Sequence, residues 1–240
     1  MSAFRPPGVR YRDPTSTARA ATIALVLAAA LQSAVGLVIV RRLVAGDTLT
    51  FWVSEQGTIV SSGAFRLFQW VSLLFSISVY VAWLTWQYRV HANARLAAPD
   101  RAPTGPGWGV LCWFVPFINL VKPYLVVREI RAVSVPQRPG GWILRLWWGT
   151  WLGGGILISL AMIDVMVGMF EKLRGPTLPK QLIVEVDEGA LQLVAAGEVL
   201  VILVALLGAL VVREVTRSQV ALGRTIADTA GSMPVRPDLH

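Results

Sequence analysis

Residues 108–127 read W-G-V-L-C-W-F-V-P-F-I-N-L-V-K-P-Y-L-V-V, and how they sit decides the topology. The stretch is apolar and long enough to cross a bilayer. Pro116, Asn119, Lys122 and Pro123 interrupt it. Trp108 to Val115 gives about 12 Å of helix, too short for a hydrocarbon core of ~30 Å. Pro116 removes a backbone donor and clashes with the preceding turn. A lysine at mid-depth costs about 2.5–3.5 kcal/mol on insertion scales. A shallow hairpin that enters and leaves on one side avoids these costs.

Around it lie four stretches without such damage: 20–40, 67–86, 146–167 and 191–212. Each suffices for one helical span. The first continues unbroken to Arg41-Arg42, longer than the apolar region of a cleaved leader, so it is expected to remain as a span. The composition agrees: 55% of the 240 residues are hydrophobic, 15% are charged, and the mean hydropathy is +0.59. Soluble domains carry about 25% charge.

The net charge of +8 belongs to the flanks of the spans, where Lys and Arg mark the cytoplasmic side. No basic run is interleaved with aromatics, so nucleic acid is not an expected partner. If 108–127 does not cross, the side holding both termini carries 16 Lys and Arg and the other side 6. If it crosses, the counts are 10 and 12 and the bias vanishes. The positive-inside rule selects four spans with both termini cytoplasmic.

The expected fold is therefore all-α: a polytopic membrane bundle of four transmembrane helices with a proline-broken re-entrant or interfacial hairpin over 108–134. A basic tail, 1–19, is expected to be disordered, 20–217 to form one membrane domain, and 218–240 to be a flexible tail that starts as a helical extension. Residues 41–66 and 168–190 read as linkers. Trp70 at one end of the second span, and Trp83, Trp86 and Tyr88 at the other, match interfacial belts.

The hairpin residues also carry a family resemblance. Gly107-Trp108, Cys112-Trp113-Phe114-Val115-Pro116, Asn119, Lys122-Pro123-Tyr124 and Val127-Arg128-Glu129-Ile130 resemble the bacterial membrane family known as domain of unknown function 4328. Arg89 to Arg95 and Leu146-Trp147-Trp148-Gly149 to Trp151 fit it as well. The similarity spans roughly 25–217. It implies a multi-span protein of actinobacterial type in the plasma membrane, and it brings no catalytic residues.

Candidate functional residues are few. Asp164 and Glu198 are the acids inside the clean spans, at about 4.5 Å and about 10 Å from the outer ends. Each shares a helical face with small residues, so both are expected to face the bundle interior. They read either as a proton or cation site, in which two nearby carboxylates share a proton, or as structural hydrogen-bond partners. Lys122, Arg128 and Arg131 are candidate contacts for lipid headgroups or a partner, Arg128 and Arg131 lying opposite an apolar face of Val126, Ile130 and Val133. Pro116, Asn119 and Pro123 are expected to shape the hairpin, with Asn119 bonding exposed backbone. Gly149-x-x-x-Gly153 reads as a dimer seam or as packing within the chain.

Cys112 is the one cysteine, so no disulfide closes within the chain and no thiolate cluster forms. His91 and His240 are expected to be solvated or interfacial. Hydrolase, nucleotide-binding and metalloprotease motifs are absent, and no catalytic residue, metal or cofactor is expected. The leading function is a non-catalytic membrane scaffold or interaction protein that binds lipid. The alternative is a small transporter or channel component using the two acids. The expected partners are the bilayer and, beyond it, a second copy or another membrane protein.

Overall fold

The computed structural model describes residues 11–46, 49–54, 59–60, 63–137, 141–174 and 181–231. In chain order the elements are α1 (Thr15–Ala45), β1 (Leu49–Ser54), β2 (Ile59–Val60), α2 (Gly63–Ala97), α3 (Pro106–Leu111), a 3-10 turn (Ile118–Leu120), α4 (Lys122–Ser134), α5 (Trp142–Leu173), β3 (Gln181–Val186) and α6 (Glu188–Gly231). Four helices, α1, α2, α5 and α6, are long and apolar enough to cross a membrane. They contain the four clean stretches. Residues 108–127 form no such helix: α3 stops after six residues, and α4 starts afresh with Pro123 in its first turn. Proline is tolerated there because the first helical amides lack intrahelical partners anyway.

The helical bundle stands as expected, and a small sheet is added to it. The stretches read as linkers hold a three-stranded antiparallel sheet in the order β2-β1-β3, with Leu49 opposite Val186 and Ser54 opposite Gln181. The helices also run past the spans. α1 begins at Thr15, so residues 15–19, expected to be disordered, are helical. α6 continues to Gly231, so all of the described part of the expected flexible tail is helix.

The chain divides into two compact units. The first comprises 1–23, 81–144 and 209–240; the second comprises 24–80 and 145–208. In the second unit, the core joins Ile39 of α1, Ala161 of α5, Val186 of β3, and Ala190 and Leu191 of α6. Outside that core, large apolar side chains such as Leu37, Leu74, Ile77, Ile163 and Leu203 are exposed, which suits a hydrocarbon solvent. Hydroxyls on these helices bond their own backbone: Ser33, Ser76 and Ser78 donate to the carbonyls of Ala29, Ser72 and Leu74 at 2.7–2.8 Å.

In the first unit, the C-terminal turns of α2 meet α3, α4 and the C-terminal part of α6. Trp86, Val90, Val126, Val127, Ile130, Val211, Val212 and Val215 are fully buried there. The expected belt is revised accordingly. Tyr88 and, in the second unit, Trp70 are exposed, whereas Trp83 and Trp86 are buried. Their indole N–H groups find partners inside the protein, Trp83 on Gln87 Oε1 and Trp86 on Thr216 Oγ1, both at 3.0 Å.

Candidate functional site

The first unit is organised around Gln219 on α6, which is almost fully buried. Its amide Nε2 donates to the Val90 carbonyl at 2.8 Å and to Ser134 Oγ at 3.0 Å. Its Oε1 accepts from Asn93 Nδ2 at 3.1 Å, and its main-chain carbonyl accepts from the Tyr11 hydroxyl at 2.6 Å. Asn93 in turn clasps the backbone of Arg12 in both directions, at 2.8 and 3.1 Å. One glutamine thereby fastens α2, α4, α6 and the segment before α1. Burial pushes the Tyr11 hydroxyl above its ordinary pKa, and the nearby Asp13 adds to this.

A second node is Gln87. Its Oε1 accepts from the indoles of Trp83 and Trp113, each at 3.0 Å, and its Nε2 donates to the Gly109 carbonyl at 2.7 Å. These bonds dock the hairpin on α2. Gly109 lies so close to the His91 ring and Val126 that a methyl group there would collide with Nδ1. Only glycine permits that approach. His91 is completely buried, with both ring nitrogens unbonded among the described residues, which corrects the expectation of a solvated or interfacial histidine. Cys112 is buried as well, its thiol donating to the Gly109 carbonyl at 3.2 Å. Burial raises its pKa.

Of the candidate headgroup contacts, Arg128 is exposed and Lys122 half-buried. Arg131 is not on the surface. It is 1% exposed, and its Nη2 reaches both oxygens of Glu214 on α6 at 2.8 Å. The physical reason is the rotation of α4. Its buried face is Pro123, Val126, Val127, Ile130, Arg131 and Ser134, so Arg131 stands one turn after Val127 on the inward side. That apolar face packs on protein.

Pro116 lies in the turn that follows α3, and Pro123 stands in the first turn of α4. Asn119 contributes through its backbone, whose N–H donates to the Val115 carbonyl at 3.0 Å. Between the prolines, Phe117 adopts φ 63° and ψ −38°, and the Ile118 N–H bonds the Pro116 carbonyl at 2.7 Å. This is the rare, strained form of γ-turn.

The two intramembrane acids occupy different surroundings in the second unit. Glu198 is 8% exposed and accepts a bond from Gln32 Nε2 of α1 at 2.9 Å. Asp164 is exposed, which corrects the expectation that both acids face the interior. It lines a groove with Asp187, Gly189, Ala190 and Leu193 at the start of α6, at least five residues before Glu198. No hydrogen bond joins the two acids among the described residues. Of the glycine motif, only Gly153 packs within the chain. Gly153 and Gly154 of α5 face Leu200 and Gly197 of α6, and Gly149 faces open space. Among the described residues there is no His, Cys, Asp and Glu cluster suited to a metal.

Gln219, Gln87 and Glu214 were not singled out from sequence. Their partners lie on other elements, and no local motif marks them. For Arg131 a signal existed, the four-residue spacing from Val127.

These features define a helical bundle with four helices long and apolar enough to cross a membrane, and with a proline-broken hairpin. The chain belongs to the family described as Domain of unknown function (DUF4328), whose model matches residues 53–217. That match takes in the hairpin, the glutamine node at Gln87 and the Arg131–Glu214 pair. No curated protein and no solved structure matches the chain.

Proposed function

We propose that this protein is a non-catalytic membrane scaffold. Four spans fix it in a bacterial plasma membrane with both termini cytoplasmic. The first unit serves as a rigid platform on that side, touching lipid and presenting its exposed face to a membrane or peripheral protein. What supports this reading is the use made of the buried polar groups. Gln219, Asn93, Gln87 and Thr216 spend their polar groups on holding helices together. Fully bonded polar networks specify one arrangement of elements.

The test is photo-crosslinking from Arg101 and Arg217, both exposed in the first unit, with the whole protein in its native membrane. Discrete protein adducts are expected, and they should disappear in Gln219→Leu while the protein stays in the membrane. Adducts to lipid alone at both positions would refute the scaffold.

Glu198 favours a second reading. A carboxyl group held by Gln32 between spans is the kind of group that transporters use. Cysteines placed at 164 and 198 in a Cys112→Ser background decide the matter. Labelling by aqueous reagents at both positions supports transport, and protection from both sides of the membrane removes it.

A further inference from the structure

The hairpin turns large apolar side chains away from the protein. Leu111, Phe114, Phe117, Leu120 and Val121 are exposed, Phe117 by 84%. Three observations bear on what covers them.

The first is depth. Gly109 is bonded to Gln87 and pressed on His91, whereas Trp113 reaches Gln87 and lies 6.3 Å, centroid to centroid, from Trp83. Going from Gly109 to Trp113, the hairpin thus descends about one turn of α2, roughly 6 Å, toward that helix's membrane-spanning part. Trp83 belongs to the last turn of the span read over 67–86. The residues after Trp113 therefore begin at the level where hydrocarbon begins.

The second is backbone satisfaction. Of the nine N–H groups in residues 112–121, seven (those of 112–114 and 118–121) donate to a carbonyl two to four residues back, those of Val115 and Phe117 do not, and Pro116 has none to satisfy. Irregular backbone facing water has no need of this. Facing lipid, it does, because an unbonded amide there costs several kcal/mol.

The third is charge. From Ala102 to Arg128 the sequence has no acid. The next one, Glu129, is turned onto Thr104, accepting from its hydroxyl at 3.0 Å and its amide at 3.3 Å. Lys122 and Arg128 thus border the tip within a stretch of sequence that carries no acid.

We infer that the hairpin tip is a wedge seated in the acyl region of one leaflet, the one at the C-terminal end of the α2 span. Phe114 and Phe117 lie below the headgroups, and Lys122 and Arg128 rest on anionic phosphates. Insertion by about 5–10 Å is the usual depth of interfacial elements. The inference rests on the proposed scaffold only for the presence of a bilayer. Its test uses no partner protein, so either idea can fail alone.

The test is spin labelling at Phe114→Cys, Phe117→Cys and, as an aqueous reference, Arg101→Cys, all in Cys112→Ala. The full chain is reconstituted in phosphatidylcholine vesicles containing phosphatidylglycerol. Labels at 114 and 117 should collide preferentially with oxygen and be several-fold less accessible to an aqueous nickel chelate than the label at 101. Equal nickel accessibility at all three positions would mean a patch waiting for a protein, and would overturn the wedge. Hydrogen exchange of the labelled proteins, compared with wild type, verifies that the first unit is intact. For the headgroup contact, the measurement is selectivity for spin-labelled phosphatidylglycerol over phosphatidylcholine. It should fall in Lys122→Gln/Arg128→Gln, with the depth at 117 unchanged. Equal selectivity in wild type and the double variant would remove that contact from the proposal.

Discussion

The two units differ in how far most of their polar groups reach. In the second, hydroxyls look no further than their own helix: Ser33, Ser76, Ser78 and Thr150 each bond a carbonyl four residues back. In the first, Thr85 does the same with the Val81 carbonyl, but other polar side chains reach across elements, Gln219 to Val90 and Ser134, Trp86 to Thr216, Gln87 to Gly109. On the proposed placement, the difference follows from the solvent. A helix inserted in hydrocarbon must have its polar groups bonded before it meets its neighbours, so the bonds are local. A unit assembled beside water can leave its polar groups hydrated until the elements meet, and then use them to choose one arrangement. The Gln32–Glu198 bond departs from the rule of its unit, which is why Glu198 carries the transport alternative.

The contrast can be tested by substitution, beginning with the largest effect. Glu214→Leu leaves Arg131 charged and buried, and should destabilise the first unit by about 3–5 kcal/mol. Hydrogen exchange in detergent micelles should show faster exchange along α4 with the second unit unchanged. Adding Arg131→Met should recover most of the loss. Equal loosening of both units would break the comparison.

Gln219→Leu strands one Asn93 donor and removes the bonds that tie α6 to Val90 and Ser134, and should cost about 1–3 kcal/mol. Exchange should rise in α2 around 90–93 and in the backbone of residues 11–14. A change confined to α6 would show that the glutamine fastens nothing.

A smaller effect is expected at Asp13. The hydroxyl and amide of Thr15 hold its carboxyl below the usual pKa. With the folded value depressed, its contribution is complete above the unfolded pKa of about 3.9 and is lost as pH falls through the lower folded value. Asp13→Ala should cost under about 1 kcal/mol near neutrality and abolish that acid dependence at the start of α1, read from the Thr15 amide. An unchanged acid profile in the variant would sink this reading.

The smallest effect belongs to the second unit. Ser76→Ala and Ser78→Ala should each shift stability by no more than about 0.5 kcal/mol, since the carbonyl left behind keeps its helix bond. A loss as large as that of Gln219→Leu would erase the distinction between the units.

The spans were legible because hydropathy is a sum over neighbours. The broken segment was legible because two prolines and a lysine exclude a long apolar helix whatever surrounds them. The sheet was not. Leu49–Ser54 and Gln181–Val186 pair across more than a hundred residues, and each alone reads as a short apolar run in a linker. Arg131 was assigned to the wrong face because the apolar stripe of α4 was drawn through Val133 instead of Val127, a rotation that buries the arginine. Gln219 carries no local sign at all. A glutamine in a basic helical tail is ordinary until Asn93, Val90 and Ser134 are brought to it.

Phe117 sets two selective pressures against each other. A phenylalanine at positive φ costs of order 1–3 kcal/mol, and a glycine would relieve most of it. Selection for stability alone would replace it. Phe117→Gly is therefore a substitution that should make the turn more comfortable and its hold on a surface weaker. A homologous turn with glycine at this position would mark a chain that has given up the surface and kept the fold.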